Sequence, residues 1–209
     1  MTVSLIGLLS IVLPLCAAPG NPRGGQAQKA AAELPRSDQI LSKYVAAVGG
    51  KDAIEKIKTL VARGSITLPA IQREGDVEIY RVAPNKYLFS ANITGFGVAE
   101  QCYDGKSGWS RSPRTGLRNL AGLELGQTKR EADLFAPLHL KDMYISMIVK
   151  GVEKVEDHDT YAIVGVTPEG NREKLYFDEA TGLLVKIDQF VVSPLGTEPM
   201  QVYYEDYRD

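Results

Sequence analysis

The chain is poor in the residues that carry most protein chemistry. Its 209 residues hold two cysteines, two histidines and one tryptophan. Neither His139 nor His158 has a second ligand at helical or turn spacing, and no Cys-x-x-Cys-His is present, so structural or exposed histidine is favoured over metal or haem. Asp157 and Asp159 lack the following glycine and distal glutamate of a calcium loop, and Gly95-Phe96-Gly97 is too short to cradle a phosphate. Basic and acidic side chains number 24 and 26, a balance that leaves no footprint for nucleic acid or for an anionic membrane surface. With no convincing catalytic cluster, the expectation is a protein without catalytic residues, metal or cofactor.

Long apolar runs are equally scarce. Leu5 to Ala18, interrupted by Ser10 and Pro14, is too short to span a membrane and suits the hydrophobic stretch of a secretory leader. Gly25-Gln26-Ala27 puts small residues where a signal peptidase reads, which predicts cleavage before Gln28. Cys16 follows Leu13-Pro14-Leu15 and lacks the small residue that precedes a lipidated cysteine, so a lipid anchor is not expected. Three segments follow: a signal peptide over 1–27, a flexible linker over 28–36 and one domain over 37–209, exported to the periplasm and soluble there. Cleavage removes one charged side chain, Arg23, and takes the formal charge from −2 to −3. Cys102 then stands alone, so no intrachain disulfide can form; it reads as a buried inert thiol.

What the chain does have is alternation. Leu60, Ala62, Ile66 and Leu68 share one parity, as do Val77 and Ile79, then Tyr87, Phe89, Ala91 and Ile93, which is the period of strands with one wet and one dry face. Strands are predicted near 59–68, 74–82, 86–94 and 97–103, and again near 149–156, 160–167, 172–178, 183–192 and 199–207. Asp104-Gly105 and Thr181-Gly182 let the chain reverse through backbone angles that other residues resist. Before the first strand, Ser37 is expected to cap a helix over 38–48 that Gly49-Gly50 ends, with a short helix over 51–57 after it. Past Trp109 the chain reads as irregular. Leu125, Thr128, Ala132 and Phe135 at helical spacing then predict a helix near 122–135, closed by Pro137. The fold class is therefore α+β, a single domain dominated by antiparallel sheet.

Four stretches carry a resemblance: Tyr44 to Gly50 (Tyr-Val-Ala-Ala-Val-Gly-Gly), Leu60 to Gly64, Asp104-Gly105 before Trp109, and Tyr176-Phe177-Asp178 with Thr181-Gly182-Leu183-Leu184. Over about Asp38 to Tyr207 the chain resembles the LolA-like outer-membrane lipoprotein-sorting family. The resemblance implies a half-open β-barrel, a curved antiparallel sheet wrapped over a few helices, with a hydrophobic cavity that receives acyl chains. It implies a carrier or sensor and not an enzyme. In similar proteins a Gly-containing turn and further strands follow the segment matching Tyr203 to Tyr207; here the sequence stops at Asp209, so the closing edge is expected to be missing or supplied by a partner.

Two groups are the candidate site. The parity-matched set Tyr87, Phe89, Ile93, Leu175, Phe177, Val185, Ile187 and Val202, with Trp109, would line the acyl cavity. Arg111, Arg114 and Arg118 bring three guanidinium groups into eight residues and would grip a phosphate or carboxylate headgroup at its mouth. The partner expected on this reading is a lipid or an acylated lipoprotein, with no nucleic acid. The same apolar residues also suit a packed core. In that case the chain would be an envelope interaction module that binds a protein through its edge strands or the Trp109 loop.

Overall fold

The computed structural model describes residues 34–68, 71–193, 196–205 and 207. The expected leader and nearly all of the expected linker lie outside these residues. The first helices are α1 (Ser37–Ala47) and α2 (Lys51–Lys56). Arg36, not Ser37, takes the N-cap position of α1, and its backbone N–H donates to Gln39 Oε1 at 2.8 Å. Ile40, Leu41 and Tyr44 recur on the buried side of this helix.

Six strands follow in a simple meander: β1 (Thr59–Leu68), β2 (Arg73–Val82), β3 (Lys86–Ile93), β4 (Gly97–Tyr103), β5 (Gly108–Ser112) and β6 (Gly116–Asn119). The last two occupy the stretch after Trp109 that the sequence suggested was irregular. They are short, and Ser112 pairs with Gly116 across a tight turn, so neither offers enough alternation to be seen beforehand. The expected helix ends at Glu131, giving α3 (Gly122–Glu131), and Pro137 lies inside a separate turn, α4 (Ala136–His139). Proline fits there because the first helical N–H groups have no partner within the helix.

The second meander is β7 (Ser146–Val155), β8 (His158–Val166), β9 (Arg172–Asp178), β10 (Leu184–Ser193) and β11 (Gly196–Tyr203). The single sheet anticipated from the sequence is thus two antiparallel sheets of six and five strands, separated in the chain by α3 and α4. Neither closes on itself. Among the described strands, β1, β6, β7 and β11 each pair on one side only.

Cross-strand partners in an antiparallel sheet share a face, so the registers define which side chains meet the helices. In the first sheet the helix-facing rows are Leu60, Arg81, Tyr87 and Tyr103, then Ala62, Ile79, Phe89 and Gln101, then Gly64, Val77, Ala91 and Ala99. Gln101 Nε2 reaches Thr128 of α3, which identifies this side as the inner one. In the second sheet the inner set includes Tyr161, Ile163, Leu175, Phe177, Leu184 and Ile187, which pack with Ile40, Leu41 and Tyr44 of α1. The Tyr44 and Phe177 rings meet edge to face at 5.4 Å. Lys43 Nζ donates to the Glu179 and Ala180 carbonyls at 2.6 and 3.0 Å and lies across Gly182, whose φ of +80° and lack of a Cβ allow the approach.

Candidate functional site

The inner faces of the two sheets differ in how far they are sealed. Ile163, Leu175 and Phe177 are fully buried beneath α1. Opposite them, Leu60, Ala62, Ile66, Leu68, Val77, Ile79 and Phe89 on the first sheet stay only half-buried, although they lie on the inner side. Helix α3 covers one end of that sheet, where Tyr87, Tyr103 and Ala132 form a small core with Ile79, Phe89 and Leu125 against it. Ala91 and Ile93, farther along β3, are buried.

The structure therefore divides the expected cavity residues. Tyr87 and Phe89 belong to the α3 end of the first sheet, with Ile93 two rows beyond. Leu175 and Phe177 belong to the sealed core of the second, with Ile187 packed against it and paired to Val202. Val185 does not share their face. A bulge between Leu184 and Lys186 turns it outward, where it packs with Val155, Ala162 and Tyr176. Trp109 is also on an outer face, in a row with Val61, Tyr80, Leu88 and Cys102.

The three arginines do not converge. Arg111 lies on the outer face and bonds Glu100 at 2.7 Å; Arg114 is exposed in the β5–β6 turn. Arg118 faces inward, and its two terminal nitrogens donate to Glu124 of α3 at 2.7 and 2.6 Å, while its Nε is buried without a hydrogen-bond partner among the described residues. Alternation across two-residue steps puts Arg111 and Arg118 on opposite faces of adjacent strands, so closeness in sequence does not make a cluster.

A different polar group occupies the inner side. Arg81, at the end of the half-open row, donates Nε to the Glu131 carbonyl at 2.6 Å and lies 5.5 Å from the centre of the Tyr87 ring. No ion pair is formed by its guanidinium among the described residues. Gln127 Nε2 donates to Glu131 Oε1 at 3.0 Å, and burial raises the Glu131 carboxyl above its usual range, opposed by Arg81. On the second sheet Glu173, on the same parity as Leu175 and Phe177, accepts from the Tyr144 hydroxyl at 2.7 Å, and Arg130 of α3 stands 3.9 Å away. Burial raises this carboxyl too. Tyr144 lies over Gly165, where any side chain would collide with its ring.

Tyr204, just after β11, links the two groups. It keeps 39% of its surface open, yet desolvation raises its hydroxyl, which also senses Arg81, Glu131 and Glu173. Tyr204 thus keeps part of its surface in solvent while sensing charged groups of both sheets and α3. Tyr207 follows it, donating its hydroxyl to the Leu184 carbonyl at 2.8 Å, and burial pushes its pKa up to about 12. Sequence reasoning passed over Arg81, Glu173 and Tyr204. The signal available was a polar residue on an apolar parity: Val77, Ile79, Arg81; Glu173, Leu175, Phe177; Val202, Tyr204.

No metal cluster of three or more His, Cys, Asp or Glu side chains exists among the described residues, and no helix among them is long and apolar enough to cross a membrane. Two hollows lie away from these groups, one of about 250 Å³ at Thr67, Arg73 and Thr94 and one of about 210 Å³ between α1 and the Asp178 hairpin.

No protein-family model matches the sequence, and no curated protein matches it. Solved structures do. The chain is similar to a LolA superfamily protein from Nitrosomonas europaea, at 13% identity and a TM-score of 0.46, over 84% of this chain and 80% of that one. It is similar to a DUF1329 family protein from Desulfovibrio piger at 12% identity and a TM-score of 0.42, over 74% of this chain and 73% of the other. A third likeness, to the lipoprotein LppX of Mycobacterium tuberculosis, has 13% identity and a TM-score of 0.34, over 82% and 98% of the two chains.

Proposed function

We propose that this chain is a non-catalytic binding or carrier protein of the cell envelope, exported by its leader, that holds the acyl chain of a lipid or lipoprotein without a covalent bond. The acyl chain would lie along the inner side of β1 to β3. The observation that supports this is the partial exposure of Leu60, Ile66, Val77, Ile79 and Phe89 on an inward face, where covering them would release roughly 25 cal/mol per Å² of apolar surface.

A second reading has one observation in its favour. β7 is an edge strand of ten residues with Ile148 and Val152 exposed at 55% and 49% and Ile145 just before it at 72%, which would suit strand addition by a protein partner. Titration of the delipidated full chain with a fluorescent fatty-acyl probe separates the two. Saturable binding at one site, weakened by Phe89→Ala and untouched by Ile148→Lys, is the expected result. No probe binding, together with a protein partner whose capture Ile148→Lys abolishes, would replace the carrier reading with the interaction module.

A further inference from the structure

We propose that the ligand of the first sheet's inner face carries an anionic headgroup and that Arg81 receives it, with the Tyr204 hydroxyl as a second donor. This rests on the acyl-binding reading above and adds the chemistry of the ligand's polar end. Among the described residues Arg81 is the partly buried inward-facing arginine without an ion pair to a carboxylate: Arg118 is committed to Glu124, Arg130 to Glu169 and Glu173, and Arg73, at the far end of the same strand, is exposed. Its one hydrogen bond uses Nε and a backbone carbonyl, and Tyr87 supports the flat side of the guanidinium. That arrangement fixes the plane and leaves the two terminal nitrogens for a carboxylate or phosphate oxygen pair.

Position along the sheet fits an amphiphile. Arg81 heads the strand row that continues through Ile79, Val77 and Gly75, with Ala62, Gly64 and Ile66 on one side and Phe89, Ala91 and Ile93 on the other. Six residues of extended strand cover roughly 20 Å. An apolar tail can therefore run away from Arg81 over small and aliphatic residues without meeting another charge before Arg73 at the far end.

The groups that face the same space from the packed elements are Tyr87 on β3, Glu131 with Gln127 and Arg130 on α3, Glu173 on β9, Tyr144 ahead of β7, and Tyr44 on α1. Glu131 and Glu173 would repel an anion if both were ionised. Burial raises both carboxyls, which lessens that repulsion. The remaining groups are neutral donors or, for Arg130, already paired.

The test uses the delipidated full chain and displacement of a bound acyl probe by palmitate, hexadecyl phosphate and methyl palmitate, three ligands of one chain length that differ in headgroup. Palmitate or hexadecyl phosphate should displace the probe at concentrations about tenfold lower than the uncharged ester. The better of the two anions tells a carboxylate from a phosphate source. Arg81→Met should erase the advantage, Arg81→Lys should keep most of it, and Tyr204→Phe should reduce it a few-fold. Equal displacement by acid and ester in the parent protein would overturn the headgroup assignment while leaving acyl binding intact. Absence of displacement by all three would overturn the acyl reading itself. If Arg81→Met does not fold, the acid-to-ester ratio in the parent protein decides alone.

Discussion

The two sheets use the same alternation to opposite ends. On the five-stranded sheet, α1 presses Ile40, Leu41 and Tyr44 onto Ile163, Leu175 and Phe177 and completes a dry core. On the six-stranded sheet, α3 covers only the end near Tyr87 and Tyr103, and the rows that include Ala62, Val77, Ile79 and Phe89 keep part of their surface in solvent. One sheet supplies stability, which leaves the other free to keep apolar surface uncovered. A protein that is to bind something apolar has to separate these two tasks, because surface already buried on folding cannot be buried again on binding.

That contrast can be broken by mutation. Phe177→Ala should have the largest effect, a loss of about 3 to 5 kcal/mol in denaturant unfolding, because it opens a cavity beside Tyr44 that α1 cannot collapse into. An effect under about 1 kcal/mol would mean that this core is not sealed. Asp178→Asn comes next, at about 1 to 2 kcal/mol. Burial pushes the Asp178 carboxyl up, but bonds from the Thr181 N–H and hydroxyl and from His158 outweigh it and hold the pKa below the usual range. A lowered pKa contributes stability above the unfolded value and loses it as pH falls through the folded one. The gap between Asp178→Asn and the parent should therefore be full at neutral pH and close in the acid range below about 3.9.

Phe89→Ala should cost about 1 kcal/mol of stability, since part of the side chain is already in solvent, and should weaken an acyl probe severalfold. A cost as large as that of Phe177→Ala would make the first sheet a packed core as well. The smallest effect is expected for Val185→Ala. It should leave probe affinity unchanged, whereas a change matching that of Ile187→Ala would place both side chains on one face and contradict the bulge.

Much of the fold was legible because its strands obey the period of two and its turns carry glycine. β1 to β4 and β7 to β11 lie close to where alternation put them. β5 and β6 were hidden by length, since four or five residues cannot establish a period. Val185 was misplaced for a related reason: one extra residue in a strand inverts every parity beyond it, and nothing in Leu-Val-Lys-Ile announces a bulge. Burial posed a different difficulty. Leu175 and Phe89 have the same apolar character in strands of the same pattern, and only the helix above them decides which is sealed. The arginine cluster failed through geometry, as neighbouring positions on a strand point to opposite sides. The polar centre could have been noticed, because Arg81 and Glu173 are charged residues on the parities of Val77 with Ile79 and of Leu175 with Phe177.

The separation of roles between the sheets is tested most directly by methyl NMR of the full chain with a fatty acid that carries a nitroxide spin label on its tail. Bound label should broaden the methyl signals of Ile66, Val77 and Ile79 most and those of Ile163, Leu175 and Leu184, which belong to the core of the other sheet, less, because the effect falls with distance. Equal broadening of both sets, or broadening confined to Ile163 and Leu175, would contradict the account.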